Sequence, residues 1–154
     1  MTDKRTQQLV FIASMFKMSM DEFNNVMGPE SIQTIFRLIG EKQGNAIEKR
    51  MREKFNVDEW TPDKLSELFI KDVFEPAIGE GNAEIKTDGN EMIVKIKVCP
   101  FKQAGIKIED KFYCTYTEGL IDTVTKLAMK HTEFSTEFLQ SDGKDCCQFK
   151  ITLK

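Results

Sequence analysis

The chain reads as an α+β fold, an antiparallel four-stranded sheet made of two hairpins and packed against about five helices. Three observations predict it. Apolar residues recur at three- and four-residue steps through the first 80 or so positions. Beyond Gly81 the period changes to two. A single helical stripe then interrupts the alternation between two Asp-Gly turn signals.

Taken in order, Leu9, Ile12, Met15 and Phe16 share one helical face, which Phe11 widens. Ser19 with Glu22 three residues on has the spacing of a capping box and predicts a short second helix. Gly28-Pro29 closes that helix and opens a third, because glycine suits the end of a helix and proline its first turn. Ile32, Ile35, Phe36, Ile39, Ile47, Met51 and Phe55 carry the third helix from about 30 to 55. Gly40 and Gly44 sit on one face of it, each costing about 1 kcal/mol relative to alanine. Their spacing admits a second backbone, or a ligand, at close range. Thr61-Pro62 supplies a cap and first residue for a fourth helix with Leu65, Leu68, Phe69 and Val73, ending near Pro76 or Gly79.

Ala83, Ile85 and Thr87, the Asp88-Gly89 turn, then Met92, Val94, Ile96 and Val98 make the first hairpin. Ile93 interrupts its polar face, so that face is expected to be partly covered. A loop from Pro100 to about Asp110 leads to a fifth helix striped by Tyr116, Leu120, Val124 and Leu127. Thr132, Phe134, Thr136 and Phe138 alternate on one closing strand and Cys147, Phe149, Ile151 and Leu153 on the other, about Asp142-Gly143. Nothing rich in Gly, Ser or Pro divides the chain. It reads as one domain, 1–154, with a helical part (1–80) and a hairpin–helix–hairpin part (81–154).

A net charge of −3 with lysine and glutamate interleaved leaves no basic footprint for nucleic acid. Apolar runs fall far short of a membrane span. Met1-Thr2-Asp3-Lys4-Arg5 leads into a polar helix start, unlike a signal peptide. A cytoplasmic, reducing compartment is expected, with the four cysteines as thiols or metal ligands.

All four cysteines lie in the last third of the chain. Cys147 shares a strand face with Phe149 and Ile151, which suits a small hydrophobe, while Cys146 points to the other face. Cys114 stands near the first turn of the fifth helix, a position that favours the thiolate. A cysteine hydrolase would need a base, and the only histidine, His131, lies at the far end of that helix, roughly 25 Å away. Paired carboxylates, a phosphate-binding glycine loop and a histidine metal motif are missing from the sequence. Most of the twelve Phe and eight Met are expected in the core, but an interior rich in them can also leave an apolar cavity between helices and sheet.

Cys99-Pro100-Phe101, Cys114-Thr115-Tyr116-Thr117-Glu118-Gly119-Leu120, and Gly143 with Cys147-Gln148-Phe149 resemble the 4-vinyl reductase domain family. The Arg37-to-Gly44 stretch and Gly79-Glu80-Gly81 also fit, so the likeness spans roughly 28 to 153. That family includes small archaeal proteins described as hydrocarbon-binding and aromatic-sensing domains of bacterial transcription activators. The resemblance implies a fold similar to subunits of the TRAPP vesicle-tethering complex, often dimerising through helices. In metal-binding members zinc is held by a cysteine opening the late helix, a Glu and a Cys before the last turn, and a Cys after it. Cys114 and Cys147 match the first and last positions. Leu139 stands where those members have cysteine, and Glu137 is one residue out of register, so a bulge, Cys99 or Cys146 would have to complete the set.

The expected function is therefore non-enzymatic: binding of a small apolar or aromatic molecule between the long helix and the sheet, by a homodimer formed through N-terminal helices. Phe36, Ile39, Gly40, Trp60, Phe69, Phe101 and Tyr116 are the residues expected near that ligand. Two other readings stand beside it. One is an assembly module resembling the tethering-complex subunits. The other is a zinc or redox sensor built on Cys114, Glu137, Cys146 and Cys147.

Overall fold

Gly28, at φ +82°, is the single residue between two long helices, α1 (Lys4–Met27) and α2 (Pro29–Lys54). The computed structural model describes residues 3–154; the polar start read for the first residues falls in part on Met1 and Thr2, outside the described residues. α1 is one continuous helix, not two. Ser19 caps nothing: its hydroxyl donates to the Met15 carbonyl within the helix, at 2.8 Å. A capping-box spacing starts a helix only where the chain is not already helical, and no glycine or proline stops α1 before Gly28.

α3 (Pro62–Phe69) begins as its sequence requires, Thr61 Oγ1 accepting from the Lys64 amide at 3.2 Å. It continues without a break through a π-helical turn (Ile70–Phe74) into α4 (Glu75–Ile78). Pro76 accounts for the irregularity. It has no N–H for the carbonyl of Asp72 four residues earlier, and the turn widens so that the Glu75 amide reaches Ile70 instead. Gly79, at φ +90°, ends the segment.

The sheet runs β1 (Ala83–Asp88), β2 (Glu91–Ile96), β4 (Cys147–Leu153) and β3 (Thr132–Phe138) in spatial order, every pair antiparallel. The closing strand thus lies in the middle of the sheet, beside β2. Between β2 and β3 come a short helix α5 (Pro100–Gln103), in what the sequence suggested was all loop, and α6 (Phe112–Ala128). A bulge between Thr136 and Phe138 and a 3-10 turn (Gln140–Asp142) separate β3 from β4.

One sheet face carries Met92, Val94, Phe149 and Ile151, all essentially sealed from water. They pack with Ile121 and Val124 of α6 and Leu65 and Phe69 of α3. Side chains of this size contribute about 1.5–3 kcal/mol each on burial. Ile93, on the opposite face, is half-buried, as its break in the polar pattern suggested. Leu127, expected on the buried stripe of α6, is exposed instead, while its neighbours Ala128 and Met129 pack on the core.

α2 lies on the outer side of α6, and glycines set the distance between them. A Cβ at Gly40 would fall 2.1 Å from the Tyr116 carbonyl oxygen; one at Gly119 would fall 2.6 Å from that of Arg37. Gly44 meets Leu120 and Thr123 in the same way. What approaches Gly40 and Gly44 is a second backbone. Arg37 of α2 locks the pair, reaching the buried Asp122 carboxylate at 2.5 Å, which Lys126 also holds at 3.0 Å.

Candidate functional site

Between α2, the π-helical turn, the end of β2 and the start of α6 lies a cavity of about 490 Å³, within the range of small-molecule sites. Its construction follows from the elements around it. α2 contributes Ile47 and Arg50, and the turn and α4 contribute Asp72, Phe74 and Ile78. Ile96 and Phe149 come from the sheet, Leu120 and Tyr116 from α6, and Leu139 from the chain leaving β3. The wall is mostly aliphatic and aromatic carbon. Tyr113 and Phe101 close one side as a stacked pair with ring centres 3.9 Å apart. Burial raises the phenol pKa of both Tyr113 and Tyr116, so both enter as neutral hydroxyls.

Sulfur collects in one region of the wall, where Cys99, Cys114 and Cys147 all face the cavity. Cys114 bonds to Ser141 Oγ at 3.4 Å, and Cys147 accepts the Gln140 amide at 3.3 Å. The helix start was expected to favour a Cys114 thiolate. Burial outweighs it: desolvation pushes the Cys114 thiol up, against the Ser141 bond, with Cys99 and Glu118 acting in the same direction as burial. Desolvation raises Cys147 further, to about 11, with Cys114 and Cys99 adding to it against the Gln140 amide. At neutral pH both are thiols.

The zinc set suggested by the resemblance does not assemble. The bulge in β3 falls at Glu137, but it turns that exposed carboxylate to Gln148 Nε2, at 2.5 Å, on the outside of the sheet. Leu139 is buried where a fourth ligand would stand, and Cys146 is not among the lining residues. Among the described residues no group of three or more His, Cys, Asp or Glu is placed to hold a metal ion. The donor set does not fit zinc.

A charged cluster marks the edge of the cavity at Asp72. Arg50 binds its carboxylate at 2.8 Å and also its carbonyl at 3.3 Å, the acceptor that Pro76 leaves without a helical donor. Lys54 binds the other carboxylate oxygen at 2.5 Å. The Lys54 bond, then those of Arg50, hold the Asp72 carboxyl below its ordinary range despite desolvation. Arg50 and Asp72 line the cavity, and Lys54, outside the lining, gives the three-residue cluster one positive charge in sum.

Phe101 and Tyr116 are thus in the cavity wall. Phe36 sits instead in a separate cluster with Met20, Ile32, Phe112 and Tyr113, its ring 5.3 Å from that of Tyr113. Ile39 faces solvent. Gly40 is closed by the α6 backbone. Trp60 is buried and donates to Glu48 Oε1 at 2.8 Å, a carboxylate that Arg52 also holds. Phe69 is sealed in the core against Phe74. Missed by the sequence reading were the aliphatic wall (Ile47, Ile78, Ile96, Leu120, Leu139) and Arg50. The period-two pattern of β2 and the stripe of α6 carried part of that signal.

No family's sequence profile matches the chain, and no curated protein matches its sequence. Solved structures do. Trafficking protein particle complex subunit 3 from Naegleria fowleri, described as covalently bound to palmitic acid, is 17% identical. The match covers 94% of this chain and 96% of that one, with a TM-score of 0.65. The fold is TRAPP-like. An H-NOX protein from S. oneidensis in an Fe(II)NO ligation state is also similar, at 17% identity over 88% of this chain and 71% of that one, TM-score 0.56. Likeness at these identities concerns the fold alone.

Proposed function

We propose that this chain is a non-catalytic binding domain for a small apolar or aromatic molecule, acting as a sensor or regulatory module and related to the 4-vinyl reductase, hydrocarbon-binding family. The observation that carries the reading is the cavity of about 490 Å³ with its carbon-rich wall. The palmitic acid of the Naegleria structure supports an acyl chain as one class of occupant. Burial raises the pKa of Cys114 and Cys147, which favours non-covalent over thioester attachment at those two side chains. The iron of the H-NOX structure is not carried over: the one histidine, His131, is outside the cavity wall. Four free cysteines support a reducing, cytoplasmic setting, and no helix among the described residues is long and apolar enough to cross a membrane.

The test is native mass spectrometry and solvent extraction of purified protein, with displacement of the fluorescent probe N-phenyl-1-naphthylamine. A co-purifying apolar molecule, or saturable one-to-one probe binding, is expected. Protein that neither carries such a molecule nor binds the probe at millimolar concentration overturns the reading.

A second reading, an assembly module, is favoured by one observation: large apolar side chains stand in solvent along most of α1. The two readings are compatible, since cavity and α1 face are separate surfaces.

A further inference from the structure

The cavity wall grades from wet and polar to dry and apolar. Gln43, Ile47 and Arg50 line it from one face of α2, four and three residues apart. Gln43 and Arg50 are exposed, as are Pro76 and Ala77 of α4 in the same lining. Leu120, Leu139 and Phe149 line it too, and none of them is more than 7% exposed.

Of the described residues in that lining, Arg50 is the only basic one and Asp72 the only acidic one. Arg50 is fixed along one edge of its guanidinium. Nε and Nη2 both donate to Asp72 Oδ2, and Nη2 donates to the Asp72 carbonyl as well. The two N–H groups of Nη1 have no partner among the described residues. Asp72 is meanwhile shared with Lys54, so its charge is more than balanced. A guanidinium anchored in this way loses little further freedom when a ligand meets its other edge.

We propose that the occupant of the cavity is an amphiphile, an apolar chain ending in a carboxylate, with the chain among the buried wall residues and the head on Arg50 Nη1. This rests on the binding-domain reading and narrows its ligand class. An acyl chain that is not joined to a thiol keeps its carboxylate, and that charge is costly among carbon without a partner. Arg50 is the cation that the wall supplies. Its side chain is 51% exposed, so a head placed there keeps part of its water and gains a charge-assisted bond. A hydroxyl head would gain a weaker bond at the same place, and an ammonium head would meet two like charges. Asp72 is a positioning residue, holding the guanidinium without touching the ligand.

Displacement of N-phenyl-1-naphthylamine by decanoate, 1-decanol and decyltrimethylammonium tests it, since the three share a chain and differ in the head. Near pH 7, and below the concentrations at which they aggregate, decanoate should bind the wild type at least about fivefold more tightly than decyltrimethylammonium. In Arg50→Gln decanoate should weaken by at least about fivefold and decanol by less than about twofold. Arg50→Lys, which keeps the charge and loses the fork, should retain part of the preference. Arg50 is exposed and Lys54 stays on Asp72, so both variants should fold, as circular dichroism would show. The wild-type comparison decides without either of them. Decyltrimethylammonium binding as tightly as decanoate overturns the carboxylate assignment, and so does an Arg50→Gln protein that binds decanoate undiminished. Either result, with the probe still bound, leaves the cavity a site for neutral apolar molecules. A wild type that takes up neither the probe nor any of the three compounds overturns the binding-domain reading and this proposal with it.

Discussion

Cys147 shows how a residue's surroundings decide its chemistry. Its strand position puts it beside Phe149 in the wall of an apolar space, and the loss of water outweighs the one amide that would favour its anion. With the thiol raised to about 11, roughly a thousandth of it is ionised at pH 8, against about a quarter of an ordinary thiol. Timed iodoacetamide alkylation read by peptide mass mapping should therefore find Cys147 modified at least 100-fold more slowly than a small exposed thiol at pH 8. The rate should climb about tenfold per pH unit toward 11 while the protein stays folded. Cys114, shifted in the same direction, should lag likewise. Complete modification of both within minutes at pH 7 would instead describe a thiolate pair and restore the metal or redox reading.

At the scale of elements the α2–α6 contact sets the geometry of everything beside it. Alanine is the better helix former, by about 1 kcal/mol, so Gly40→Ala on an exposed helix would stabilise it. Here the added carbon would stand 2.1 Å from a backbone oxygen that cannot rotate away. Overpacking of this kind costs about 1–3 kcal/mol and the helices must part. Less the gain in helix propensity, a net loss of up to about 2 kcal/mol is expected, seen as a fall in Tm of up to several degrees. Because Tyr116 and Leu120 are both contact and cavity wall, probe affinity should fall as well. An unchanged Tm would show that α6 yields freely at Tyr116.

The glycine spacing was legible because helical geometry puts residues four apart on one face. What closes on it was not, since one strand of sequence does not reveal its neighbour. The same limit explains α1. Leu9, Ile12 and Phe16 announce an apolar face, but periodicity says nothing about what covers it, and here the body of the molecule does not. Ser19 and Glu22 misled because a capping box is a local pattern, whereas where a helix ends depends on whether anything stops it. The cavity was legible only in part. Its wall draws a few residues each from α2, the π-helical turn, α4, both central strands and α6, which lie far apart along the chain, so no one motif marks it. The aromatic excess drew attention to Phe69 and Trp60, which fill the core or seal a loop, while aliphatic residues do most of the lining.

For the whole molecule, the cavity and the core are built from the same layers, so filling one need not harm the other. Leu139 is buried at the cavity wall, where the chain leaves β3. Leu139→Phe adds ring carbons toward open space, so the usual penalty for enlarging a packed side chain should be small and the added apolar burial should offset it. Without ligand, the variant is expected to melt within about 2 °C of the wild type or above it. With ligand the two should separate. A ligand at 100 times its Kd stabilises the wild type by about 2.7 kcal/mol, or roughly 5–10 °C for a chain of this size. The variant, its space occupied by its own side chain, should shift by less than a third of that, with probe affinity down at least tenfold. Differential scanning fluorimetry with and without the same apolar compound measures both quantities. Equal shifts in the two proteins would place the ligand elsewhere and leave the cavity a packing void; a variant that melts far below the wild type without ligand would show that Leu139 has no space beside it to fill.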